Sequence, residues 1–168
     1  FRSKLAEARA LNPRILAMEP GNVEALLVEG LLLNDDKAFG KALASYARAI
    51  ELKPDFALAW ANRGDTLRHL ARYSEAQMHY EKALAFDATL TAGIRGLMEC
   101  YRQQGDYPRV FELHGRHRQQ IEADYLACEL LGDIHLERRD KAGAYEAYER
   151  ARAVSEKTPS EKDRKSTR

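Results

Sequence analysis

His114 and His117, three residues apart, come nearest to metal chemistry in this chain. On one helix face the two rings would sit side by side, with Glu112 and, less well placed, Cys100 as further donors. A zinc centre needs three or four such ligands. The pair therefore reads as packing or surface first and as half a site second, and no metal or other cofactor is expected. Cys100 and Cys128 lack the Cys-x-x-Cys spacing of redox centres. They read as free, half-buried thiols, with a single disulfide as the alternative. Arg109, Arg116, His117 and Arg118 form a basic patch that Glu112, Glu122 and Asp124 dilute. It has none of the interleaved aromatics on which bases stack, so it reads as a solvated face. Asp35-Asp36 reads as solvated too. There is no phosphate-cradling glycine loop and no Gly-x-Ser-x-Gly elbow. No catalytic constellation emerges, and the chain is not expected to be an enzyme.

The elements that carry these residues are constrained by bulk properties. The 168 residues are 45% hydrophobic and 32% charged, with a net charge of +1. Charge above the usual share of about 25% suggests a thin or elongated body. The near-zero net charge argues against nucleic acid and anionic membrane as partners. The greasiest run, Ala25 to Leu33, is short and carries Glu29, whereas a spanning helix needs about 20 apolar residues. Residues 1–22 are charged throughout and do not read as a signal peptide. Because the first residue is Phe1, the chain is expected to be a fragment, a processed product or a sequence missing its true start. A cytoplasmic location is expected, with a periplasmic one left open.

A period runs through the sequence. Gly30, Gly64 and Gly132 are separated by 34 and 68 residues, as are Ala42, Ala76 and Ala144. Tyr46, Tyr80 and Tyr148, and then Ala49, Ala83 and Ala151, repeat the same gaps. The period defines units at 23–56, 57–90, 91–124 and 125–158, after a second half-unit at 1–22. Each unit reads as two helices. Leu58 to Leu70 and Tyr73 to Phe86 carry apolar residues at helical spacing, and Lys53-Pro54-Asp55 and Gly105-Asp106 punctuate. No segment alternates with period two, so no sheet is expected. A mid-helix glycine costs about 1 kcal/mol against alanine. Close approach of the paired helix is expected to offset that, with Gly64 meeting Ala76, the tyrosine column filling the remaining space, and the last alanine column letting the next unit dock. No unit buries its apolar face alone, so the units must stack.

These columns resemble the tetratricopeptide repeat, a helix–turn–helix unit. Trp60, Gly64, Leu67, Ala76, Tyr80 and Ala83 carry the resemblance in the second unit. Leu26, Gly30, Leu33, Ala42, Tyr46, Ala49 and Pro54 carry it in the first, and Gly132, Ala144, Tyr148 and Ala151 in the fourth. The third unit departs: Met98 stands for the glycine, Val110 for the alanine, and His114 and His117 for the tyrosine and alanine, with Gly115 weakening the same helix. It reads as drift, or as a widened joint or specialised surface. Residues 159–168 are polar and are expected to be a disordered tail.

The resemblance implies an all-α, right-handed α-solenoid of antiparallel helix pairs. It also implies a scaffold that takes a peptide or helix of another protein in a groove lined by each unit's first helix. Carried over position by position, the groove residues are Leu27, Leu31, Asn34, Leu58, Ala61, Asn62, Asp65, Arg68, His69, Arg95, Glu99 and Arg102. Arg68, Arg95 and Arg102 would grip a carboxylate by bidentate pairing, unless they simply pair with Asp65 and Glu99. Leu126, Glu129, Asp133, Leu136 and Glu137 place acids toward the far end. The clamp that co-chaperones use for acidic chaperone tails does not fit. Its Lys and Asn positions hold Leu27 and Leu31, or Ala61 and Asp65. Two further readings are a regulatory region of a larger enzyme, such as a glycosyltransferase or sulfotransferase, and a protein that self-associates through an exposed Leu27 and Leu31 edge.

Overall fold

A computed structural model describes residues 2–157, and among them ten α-helices and no strands. The expected tail, 159–168, lies outside the described residues. The helices are α1 (Arg2–Met18), α2 (Val23–Asp35), α3 (Phe39–Leu52), α4 (Ala57–His69), α5 (Tyr73–Phe86), α6 (Thr91–Gln103), α7 (Tyr107–Arg116), α8 (Arg118–Ala123), α9 (Tyr125–Glu137) and α10 (Lys141–Lys157). They group into two compact units that divide between Cys100 and Tyr101.

In the first unit α2 packs on α3 and α4 on α5, as antiparallel hairpins, and α3 then packs on α4. Asn22 starts α2 by accepting from the Ala25 N–H at 2.9 Å, which satisfies one of the donors a helix start leaves open. Tyr46 and Tyr80 are wholly buried. A Cβ at Gly30 would lie 2.3 Å from the Tyr46 ring, and one at Gly64 2.9 Å from the Tyr80 ring. The glycines thus make room for the tyrosines of the paired helix: the three atoms nearest a Cβ at Gly64 all belong to Tyr80. Gly96 of α6 flanks the same Tyr80 ring, where a Cβ would meet it at 2.2 Å. The next layer docks through small residues. Ala49 forms a buried cluster with Leu26 and Ala59, and Gly93 lies against Leu84 and Ala83.

The second unit contains α9 packed on α10, with α8 touching both. The second helix of the third pair is broken. α7 ends at Arg116, His117 sits in a bend at φ −116° and ψ 34°, and α8 restarts at Arg118. The expectation of His114 and His117 on one helix face is therefore corrected: the chain turns between them. Gly115, a poor helix former, sits just ahead of the bend. Asp124 caps α9 through the Ala127 N–H at 2.8 Å. Gly132 repeats the arrangement of the first unit, 2.6 Å from Tyr148 by the same construction.

Candidate functional site

The groove residues fall on the first helix of each pair, eleven of them in the first unit and Arg102 in the second. On α2, Leu31 is 42% exposed. Leu27 is half-buried and packs against the Leu26–Ala49–Ala59 cluster, so it is part of the wall. Asn34 accepts from the Thr66 hydroxyl at 3.0 Å, a tie between α2 and α4.

On α4, Leu58 is 43% exposed, and Asn62 donates to the Leu58 carbonyl at 2.7 Å. Ala61 is only 2% exposed, which corrects its expected place on the groove surface. α4 packs on α2, α3 and α5 together, so its buried arc is wide and takes in Ala59, Ala61, Gly64, Thr66 and Leu67. Asp65 accepts from the Tyr80 hydroxyl at 2.7 Å and pairs with Arg68 at 3.4 Å. Burial, with Asp65 adding to it, pushes the Tyr80 phenol far above its ordinary value, so it stays a donor. Arg68 is half-buried, and its Nε is buried without a partner. His69 is exposed, its ring 6.0 Å from Phe39.

On α6, Arg95 and Glu99 are half-buried and engaged in contacts of their own. In the second unit Arg102 pairs with Glu137 at 2.7 Å, and Tyr107 donates to the same carboxylate at 3.3 Å. The pair was not anticipated from the sequence, because Glu137 lies 35 residues away. Glu129 and Asp133 each accept from a tyrosine hydroxyl, Tyr125 and Tyr148. The exposed apolar surface at the start of the chain is carried by Leu11, Ile15 and Met18 of α1. Their i, i+4, i+7 spacing was the signal that would have found them.

The residues weighed for catalysis are spent structurally. Cys100 and Cys128 are free and buried. Burial pushes the Cys100 thiol up to about 12 and the Cys128 thiol up to about 11; a nucleophilic thiol needs the opposite. No group of three or more His, Cys, Asp or Glu among the described residues is placed to hold a metal ion. No helix among them is long and apolar enough to cross a membrane. Cavities open among the described residues. One of about 530 Å³ lies between α1 and α2, where Arg9 bridges Asp35 and Asp36 at 2.9 and 2.8 Å. Another, about 270 Å³, lies in the second unit among α7, α8, α9 and α10.

A sequence profile described as tetratricopeptide repeat matches residues 45–78, one period long, from α3 into α5. The chain is 33% identical over 86 residues to a probable UDP-N-acetylglucosamine–peptide N-acetylglucosaminyltransferase SPINDLY of Petunia hybrida, a stretch covering 51% of this chain and 9% of that protein. The chain therefore spans about a tenth of that relative's length. Among solved structures it is similar to MamA, with TM-score 0.73, 20% identity, and 89% and 87% of the two chains covered. It is also similar to the APC/C hetero-tetramer Cut9–Hcn1, with TM-score 0.83, 17% identity, and 93% and 30% covered. At these identities the likeness is one of fold, an all-α solenoid of antiparallel helix pairs. Residues 45–78 match the tetratricopeptide repeat profile, and in period and fold the chain is similar to tetratricopeptide repeat proteins.

Proposed function

We propose that this chain is a protein-interaction scaffold, and that the first unit takes a peptide or helix of a partner along the faces of α2, α4 and α6. The supporting observation is the exposure of Leu31 and Leu58, 42% and 43%, on the neighbouring first helices α2 and α4. Two large apolar side chains left in water beside half-buried Arg68 and Arg95 suit an amphipathic segment with an apolar anchor next to an acid. The work is binding and not catalysis, in line with the raised thiols. A cytoplasmic setting is part of the same proposal.

The test is capture of partners from cell extract by the wild-type chain, by Leu31→Asp/Leu58→Asp and by Arg68→Glu/Arg95→Glu, with circular dichroism on each. Proteins held by the wild type should be lost from both variants at unchanged helicity. Equal capture by all three would move the site elsewhere. A second reading, self-association, is supported by Leu11, Ile15 and Met18 on α1, exposed at 51%, 41% and 84%. Sedimentation over a concentration series separates it from the first.

A further inference from the structure

The cavity of the second unit occupies a position that the second helix pair fills with its own side chains. There, Trp60 of α4 stacks on His79 of α5 with ring centroids 5.3 Å apart. The indole Nε1–H donates to the Pro54 carbonyl at 2.8 Å. The fourth pair lies 68 residues on, as Gly64 with Gly132 and Tyr80 with Tyr148 show. In that register Trp60 becomes Cys128, His79 becomes Ala147 and Pro54 becomes Glu122. All three line the cavity of about 270 Å³. Two rings have been replaced by two of the smallest side chains, and the residue whose main-chain carbonyl accepts in the second pair here adds a carboxylate side chain.

The remaining walls suit an aromatic guest. Phe111 and His135 stand with centroids 5.1 Å apart at 58°, and the Arg138 guanidinium covers Phe111 at 4.9 Å. His135 is fixed by Asp140, Nδ1 to Oδ2 at 2.8 Å, while the Gly143 N–H donates to the other oxygen at 3.0 Å. Gly143 permits this, because a Cβ there would lie 2.3 Å from His135 Nδ1. Glu122 is held in place by Arg118 Nε at 2.7 Å and by Arg150. Both contacts are to Oε1, and a carboxylate has further lone pairs to accept with. At about 270 Å³ the cavity lies just below the usual range of ligand pockets, which starts at about 300 Å³, and so suits a small ring.

We infer that this cavity binds a planar heteroaromatic group carrying an N–H donor, of indole type, with Glu122 accepting the N–H and the Phe111–His135 wall stacking on the ring. The group is either a free small molecule or the tryptophan side chain of a peptide. Titration of the full chain with indole, 1-methylindole and N-acetyl-tryptophanamide tests this, read by NMR on the His135 ring. Saturable shifts with a Kd of about 1 mM or tighter are expected with indole. Loss of the N–H in 1-methylindole should weaken binding about tenfold, the worth of a hydrogen bond to a charged group. N-acetyl-tryptophanamide binding as tightly as indole identifies a peptide side chain as the source; much weaker binding identifies a free ring. Ala147→Leu, which narrows the cavity, should abolish the shifts at unchanged helicity. Cys128→Trp, which refills it as in the second pair, should do the same. No saturable shift with indole, or equal affinity for indole and 1-methylindole, overturns the proposal without reference to the groove of the first unit.

Discussion

Tyr80 shows how much one residue type depends on its neighbours. Its ring is clasped between Gly64 and Gly96, and its hydroxyl is tied to Asp65 at 2.7 Å, so it has no freedom to swing aside. Gly96→Ala is therefore expected to destabilise the first unit. The overpacking penalty of about 1–3 kcal/mol outweighs the roughly 1 kcal/mol that alanine gains over glycine in a helix. The same substitution at Gly115 should have the opposite sign. No atom lies within 4 Å of a Cβ there, and a gain of about 0.5–1 kcal/mol is expected. Urea denaturation of the two variants checks both signs. Equal effects would mean that Gly96 is not constrained by the packing of Tyr80.

At the scale of elements, a feature of the turns was invisible in the residue types. Lys37, Ala71, Gly105 and Arg139 recur every 34 residues, and all have positive φ: 59°, 56°, 70° and 62°. Each ends the first helix of its pair with the same two bonds. Ala71 N–H reaches the Arg68 carbonyl at 2.9 Å and Arg72 N–H the Leu67 carbonyl at 2.9 Å. Gly105 and Asp106 reach Arg102 and Tyr101 at 3.0 and 2.8 Å. This is the left-handed cap that glycine fills most cheaply, yet only one of the four positions holds glycine. Ala71→Gly is expected to stabilise the chain by about 0.5–1 kcal/mol, relief of left-handed strain less the added freedom of the unfolded chain. A raised urea midpoint at unchanged m-value checks it, and a lowered one would show the cap to be unstrained.

For the molecule as a whole, acid sensitivity is the measurable consequence of how the pairs are filled. Burial holds His79 down, from 6.5 to about 4, helped by nearby Arg63 and opposed by Glu75. Its folded state resists protonation more than its unfolded state does. The stability it carries is complete above pH 6.5 and is lost as pH falls from 6.5 to about 4. The loss is at most about 3 kcal/mol, less with solvent screening. Carboxylates held low by partners, Asp36 by Arg9, Glu75 by Arg72 and Glu137 by Arg102, add their own loss only below the ordinary carboxylate range. Trp60, the sole tryptophan, lies against His79 and reports the first unit. Its urea midpoint by fluorescence should slope downward between pH 6.5 and 4. His79→Gln should flatten that slope, and an unchanged slope would assign it to other groups.

The residue types alone were enough for the period, the helical class and the resemblance to tetratricopeptide repeats. Glycine, alanine and tyrosine recur at one interval because each marks a place where two backbones meet, and such demands are local and repeat with the unit. The exposure of Leu31 and Leu58 follows from the same register. What a side chain touches beyond its own pair was not readable in this way. Leu27 and Ala61 were placed on the groove by position, yet the packing of α2 and α4 on more than one neighbour half-buries the first and buries the second. Arg102 found Glu137 across 35 residues, and His117 became a bend. The cavity between α7, α8, α9 and α10 depends on four helices at once, on rings that are missing as much as on those present. Volume is a property of the whole packing, and only the tertiary structure decides it.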